Sequence, residues 1–128
     1  MMTLRNVLRV NALSSGATGL LLAIFPGVFS SLFEVNSTAP FFGVGAFLIA
    51  FSIVVGIVSF RPSLDRTAVM GITLADAIWV VASIVLVMAP VTMSAYGTLI
   101  ILAVAGWVFM MAVLQYRGVR ETEASTNL

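Results

Sequence analysis

The sequence predicts an all-α membrane protein, a transmembrane up-down-up-down four-helix bundle with a short interfacial helix after the first span. Three observations predict it. Of the 128 residues, 61% are hydrophobic and only 9% are charged, with a mean hydropathy of +1.16, beyond what a soluble domain keeps dissolved. The apolar residues fall into four runs of about 20, the length that crosses roughly 30 Å of hydrocarbon. The polar links between the runs are short, and short links make sequential helices antiparallel neighbours.

The elements follow in order. The basic start "MMTLRNVLRVNALSSG" leads into a long apolar run without a small-x-small cleavage site, which reads as a retained first span over residues 7–25. Pro26 ends that span, because its ring removes a backbone donor. In "PGVFSSLFEV", Phe25, Val28, Phe29, Leu32 and Phe33 recur at helical spacing, with Ser30, Ser31 and Glu34 on the other side. That pattern predicts an interfacial helix over residues 26–34, its apolar face toward the acyl chains. Pro40 suits the first turn of a second span over residues 40–60. After the charged link "RPSLDR" a third span covers residues 67–88, closed by Pro90, and a fourth covers residues 92–116. Residues 117–128 form a polar tail, and the whole chain is a single membrane domain.

Orientation comes from the arginines. Arg5 and Arg9 precede the first span, Arg61 and Arg66 lie between the second and third, and Arg117 and Arg120 follow the fourth. Residues 26–39 and 89–95 carry no basic side chain. The positive-inside rule then places both termini and the middle link in the cytoplasm.

Composition removes several classes of function. No basic stretch is dense enough to neutralise a row of phosphates, so nucleic acid is not an expected partner. Cysteine and histidine are both absent, which takes away thiol nucleophiles, the usual general base and the usual metal ligands. No metal site, haem, zinc or iron–sulfur cluster is expected, and neither is enzymatic activity.

What stands out is "TLADAIWVVAS", residues 73–83, where Asp76 interrupts the third span. It lies ten residues beyond Arg66, and the same count from Arg9, Arg61 and Arg117 reaches Gly19, Phe51 and Trp107. At about 1.5 Å per residue all four should share a level near the bilayer middle. Small and polar residues form stripes that can turn inward: Asn11, Ser15 and Thr18; Gly45, Ser52, Gly56 and Ser59; Thr73, Asp76 and Ser83; and Ala103, Gly106 and Met110, with Trp107 beside them. A charge at the centre of a span costs about 2.5–3.5 kcal/mol even on the lenient insertion scale. No basic residue lies within the spans to pair with Asp76, so the expected state is a protonated carboxyl, or a carboxylate accepting from Ser15, Thr18, Ser52 or the Trp107 indole. Thr73 and Trp79 flank the same position. Asn6 and Asn11 are expected to bond helix ends or the middle link.

Taken together, "NALSSGATGLLLAIFPGVFSSLF", "GVGAFLIAF" and "DAIWVVAS" resemble small, uncharacterised bacterial four-span inner-membrane proteins. The layout is similar in outline to DoxX-like proteins. The resemblance implies the span count and the membrane, and it assigns neither an activity nor a site residue.

The expected function is that of a non-enzymatic accessory or interaction subunit of a larger membrane assembly, with a protein partner or a second copy. It would hold a lipid-soluble ligand such as a lipid, quinone or pigment between helices near Asp76. The alternative is a small oligomeric transporter or channel with Asp76 as a proton-coupled site. In size and in its single embedded acid the chain resembles small multidrug exporters, but theirs lies in the first span and this one lies in the third.

Overall fold

The computed structural model describes residues 3–89 and 93–126, with side chains described as far as Glu121. Pro90 and Thr92, expected at the end of the third span and the start of the fourth, lie outside the described residues. Five helices follow one another: α1 (Leu4–Ile24), α2 (Pro26–Phe33), α3 (Ala39–Phe60), α4 (Arg66–Met88) and α5 (Ala95–Thr126). All but α2 are long and apolar enough to cross a membrane. The protein is a four-helix membrane bundle with a short helix after its first span.

Local chemistry sets the boundaries. The Thr3 side chain accepts from the Asn6 backbone N–H at 3.2 Å, and Asp65 caps α4 by accepting from Thr67 N–H at 3.0 Å. Pro26 opens α2, and Glu34 closes it in the left-handed conformation, with φ of 58°. Arg5 finishes α3, donating through Nη1 to the carbonyls of Ser59 and Arg61, both at 2.6 Å. Those carbonyls would otherwise lack a helical partner. Arg9 lies 4.5 Å over the Phe60 ring, so the arginine-bearing ends of α1 and α3 are stitched together.

Two helix pairs, α1 with α3 and α4 with α5, make up the bundle, and α1 also packs on α5. The first pair is tightest at Gly19 and Gly45. A Cβ on Gly19 would stand 2.8 Å from the Gly45 carbonyl oxygen, and one on Gly45 would stand 2.7 Å from the Ala23 nitrogen. The backbones themselves are in contact, which small residues allow and side chains forbid. By contrast, the backbones of α3 and α4 hardly approach each other.

At the arginine-bearing end the space between helices is filled by Leu8, Val55, Val58, Val69, Ile72 and Val119. At the other end α2 folds onto α3 and α5. Its Phe33, expected to face acyl chains, is buried instead, edge-on to Phe41 at 5.0 Å and against Gly97. The reason is local: Ser94 donates through its backbone N–H to the Phe33 carbonyl and through Oγ to the Leu32 carbonyl, tying α2 to the start of α5.

Two further departures concern α5. It continues as helix through Thr126 instead of ending at residue 116. Its buried stripe is Ala105, Met111, Gln115 and Val119, while Gly106 and Met110 are exposed. A helix that is apolar on nearly every side has no periodic signal to say which side turns in, so packing decides it.

The Gly19–Gly45 contact predicts that Gly45→Ala lowers stability by about 1–3 kcal/mol, the usual cost of overpacking. Gly43→Ala, whose new methyl would meet nothing within 4 Å, should leave stability unchanged or slightly raised. Unfolding of the purified chain in detergent compares the two.

Candidate functional site

Asp76 is only 4% exposed and lies at the centre of a buried polar layer drawn from three helices. Asn11 on α1 donates through Nδ2 to Asp76 Oδ2 at 2.9 Å and to Gln115 Oε1 at 2.7 Å. Gln115 on α5 donates through Nε2 to the same Oδ2 at 3.0 Å and to Thr73 Oγ1 at 3.1 Å. The layer closes on itself. Ser15 Oγ donates to Asn11 Oδ1 at 3.1 Å, and Thr73 passes its own proton to the Val69 carbonyl. Hydrogen bonds to a charged group are worth about 1.5–3 kcal/mol each, so two of them are of the size needed to offset the cost of a carboxylate in a span.

The partners differ from those expected. Ser15 reaches Asp76 only through Asn11, and Thr18 lies further along α1. Ser52 donates to the Ile49 carbonyl of its own helix at 2.7 Å, and the Trp107 indole donates to Ser14 at 3.1 Å. Asn11, expected at a helix end, is a direct partner of the carboxylate, and Gln115 was hidden as the last polar residue of a span thought to end beside it. The cause is a shift of level. Asn11 and Gln115 are each eight residues from the positions that arginine counting put opposite Asp76, about 12 Å at 1.5 Å per residue. Arg9 and Arg117 stand inside α1 and α5, each already past the first helical turn from its end, whereas Arg66 begins α4. They do not mark one plane. The signal for Gln115 was nevertheless present, since Met111, Gln115 and Val119 recur every four residues on one helical face.

Both hydrogen bonds to the carboxylate end on Oδ2. The other oxygen, Oδ1, accepts from no described residue, and Asp76 lines a cavity of about 340 Å³ between the four long helices. Asn11 and Asp76 form its floor, below which lies the apolar plug of Leu8, Val55, Val69 and Val119. Ser14, Ser15 and Thr18 line the α1 side. Aromatic rings make much of the rest: Phe47 and Phe51 from α3, Trp79 from α4 and Trp107 from α5. Phe47 stacks on Phe51 at 6.1 Å and on Trp79 at 6.5 Å, bridging α3 and α4, whose backbones hardly approach each other. Phe47 is also 54% exposed, so this wall faces outward as well as inward.

Charge in the cavity is one-sided. Asp76 is the one titratable residue among those that line it. Among the described residues no three His, Cys, Asp or Glu side chains come together, and the Trp79 indole N–H is the one buried side-chain polar atom left without a partner. An unpaired donor in the wall of a cavity is an unusual feature, because buried polar groups are nearly always satisfied.

No protein-family model, curated protein or solved structure matches the chain.

The network predicts that Gln115→Leu destabilises the fold by about 1–3 kcal/mol, because Asp76, Asn11 and Thr73 each lose a partner in a dry interior. Ser52→Ala, which removes a bond within one helix, should stay within about 0.5 kcal/mol of the parent chain. Thermal unfolding of both variants in one detergent reads the difference.

Proposed function

We propose that the chain is a non-enzymatic membrane protein that holds a lipid-soluble ligand in the cavity beside Asp76, as an accessory or interaction subunit of a larger membrane assembly. The observation that carries this reading is the cavity itself, with apolar and aromatic walls and a single oriented carboxyl on its floor. Its volume lies at the lower end of the range of small-molecule sites, and the mix of apolar lining with few fixed polar groups is typical of them. The side of entry for a ligand dissolved among the acyl chains is the Phe47–Trp79 wall, where α3 and α4 meet through side chains and hardly through backbone.

One feature favours holding over conducting. The apolar plug closes the arginine-bearing end directly below Asn11 and Asp76, so the cavity is blind on that side. Catalysis is disfavoured because no second acid or base lines the cavity, and the Ser14 and Ser15 hydroxyls there donate to Val10 and Asn11 oxygens and not to a base. The links between helices are short, which leaves the lipid-facing surface as the place for a protein partner. The arginine distribution supports an orientation with both termini on the cytoplasmic side.

Ala75 lines the cavity, so Ala75→Phe fills it without touching the polar layer. The parent chain, extracted gently and analysed by native mass spectrometry, should carry a lipid-soluble small molecule that the Ala75→Phe chain lacks at equal helicity. A parent chain that runs as a bare monomer, with neither ligand nor protein partner, overturns the reading.

A further inference from the structure

The proposed ligand site leaves open which chemical class it accepts, and its charge distribution narrows that choice. An anion would face a carboxylate with no cation among the lining residues to offset it. A small inorganic cation is best held by oxygen ligands on all sides; here the carboxyl is joined only by the Ser14, Ser15 and Thr18 hydroxyls of a single helix, Ser14 already accepting from Trp107, and the remaining walls are aromatic and aliphatic. Oδ2 is already taken by Asn11 and Gln115, so Oδ1 is the acceptor left for a guest. Four aromatic residues line the same cavity, and aromatic rings attract positive charge when water is excluded. Phe51, Phe47 and Trp79 stack in sequence, with successive planes inclined by 16° and 8°.

Resting on the reading of the cavity as a ligand site, the geometry points to a lipophilic organic monocation, an ammonium or onium group on an apolar body, seated with its charge at Asp76 and its body against the aromatic wall. Cation and proton are alternatives at one carboxyl: binding of the cation requires the carboxylate, and a proton carried there is released to water. Asn11 from α1 and Gln115 from α5 bond Asp76 directly, Ser15 and Thr73 reach it through them, and Phe47 and Phe51 from α3 line the cavity beside it. None of them titrates. Arg9 and Arg117 each stand two residues from a member of the layer, Asn11 and Gln115, but both side chains are exposed, with Arg9 turned onto the Phe60 ring. Competition with protons is therefore assigned to Asp76 alone.

The test uses a charged probe and its neutral isostere, methyltriphenylphosphonium and 1,1,1-triphenylethane, with the full chain in nanodiscs. The two tryptophans of the chain both line the cavity, so intrinsic fluorescence reports occupancy directly, with empty nanodiscs correcting for partition into lipid. The expected result is that the phosphonium binds at least tenfold more tightly than the hydrocarbon. Its affinity should fall as the pH is lowered, while that of the hydrocarbon stays flat. Asp76→Asn should reduce phosphonium binding at least tenfold and leave the hydrocarbon unchanged. Equal affinity for both probes, with no pH dependence in the parent chain, overturns the cation assignment while leaving the cavity a ligand site. If neither probe nor any extracted lipid alters the fluorescence, the ligand site itself is refuted. Because the pH titration is done on the unaltered chain, the result stands even where Asp76→Asn folds poorly.

Discussion

A carboxylate in hydrocarbon must be satisfied by the protein, because no water is present to do it. Asp76 meets that demand through Asn11 and Gln115, residues that come from the first and last long helices. Each amide has one optimal place, so the bonds fix how far α1, α4 and α5 slide past one another. The fourth helix of the bundle is held differently: α3 contributes no hydrogen bond to the layer and is positioned by the Gly19–Gly45 contact and by Val55 and Val58 in the apolar plug. Hydrogen bonds of the layer set the register of α1, α4 and α5, and α3 is set by steric contact together with the Arg5 bonds to its terminal carbonyls.

This division of labour also explains the cavity. The plug packs well because its residues are branched aliphatics, with Leu8 and Val55 fully enclosed. Above the polar layer α1 and α3 stay in backbone contact at Gly19 and Gly45, but α3 and α4 are spaced apart by the rings of Phe47 and Trp79. The bundle is tight on one side and propped open on the other. A carboxyl at the junction of those two regions has one oxygen in the network and one toward the opening, which is an arrangement that a purely structural polar bond between helices would not require.

Spans, helix count and antiparallel order were legible because each depends on apolar run length and link length, which are properties of short stretches of chain. The Asn11, Ser15 and Thr18 face was legible for the same reason, and so was the side of α4 that buries Thr73, Asp76 and Ser83. The course of α5 was not. Its polar end resembles a tail, yet it remains helical, and the inward side of an apolar helix leaves no trace in periodicity.

By itself, then, the sequence determined that this is a four-span bundle with one acid that must be accounted for, since hydropathy and 3.6-residue periodicity are written locally along the chain. Only the tertiary structure decided which residues account for it. Asn11 and Gln115 meet at Asp76 across separations of 65 and 39 residues. Which level of one helix faces which level of another depends on where backbones touch and where helices begin, and arginines standing at unequal distances from those beginnings cannot report it.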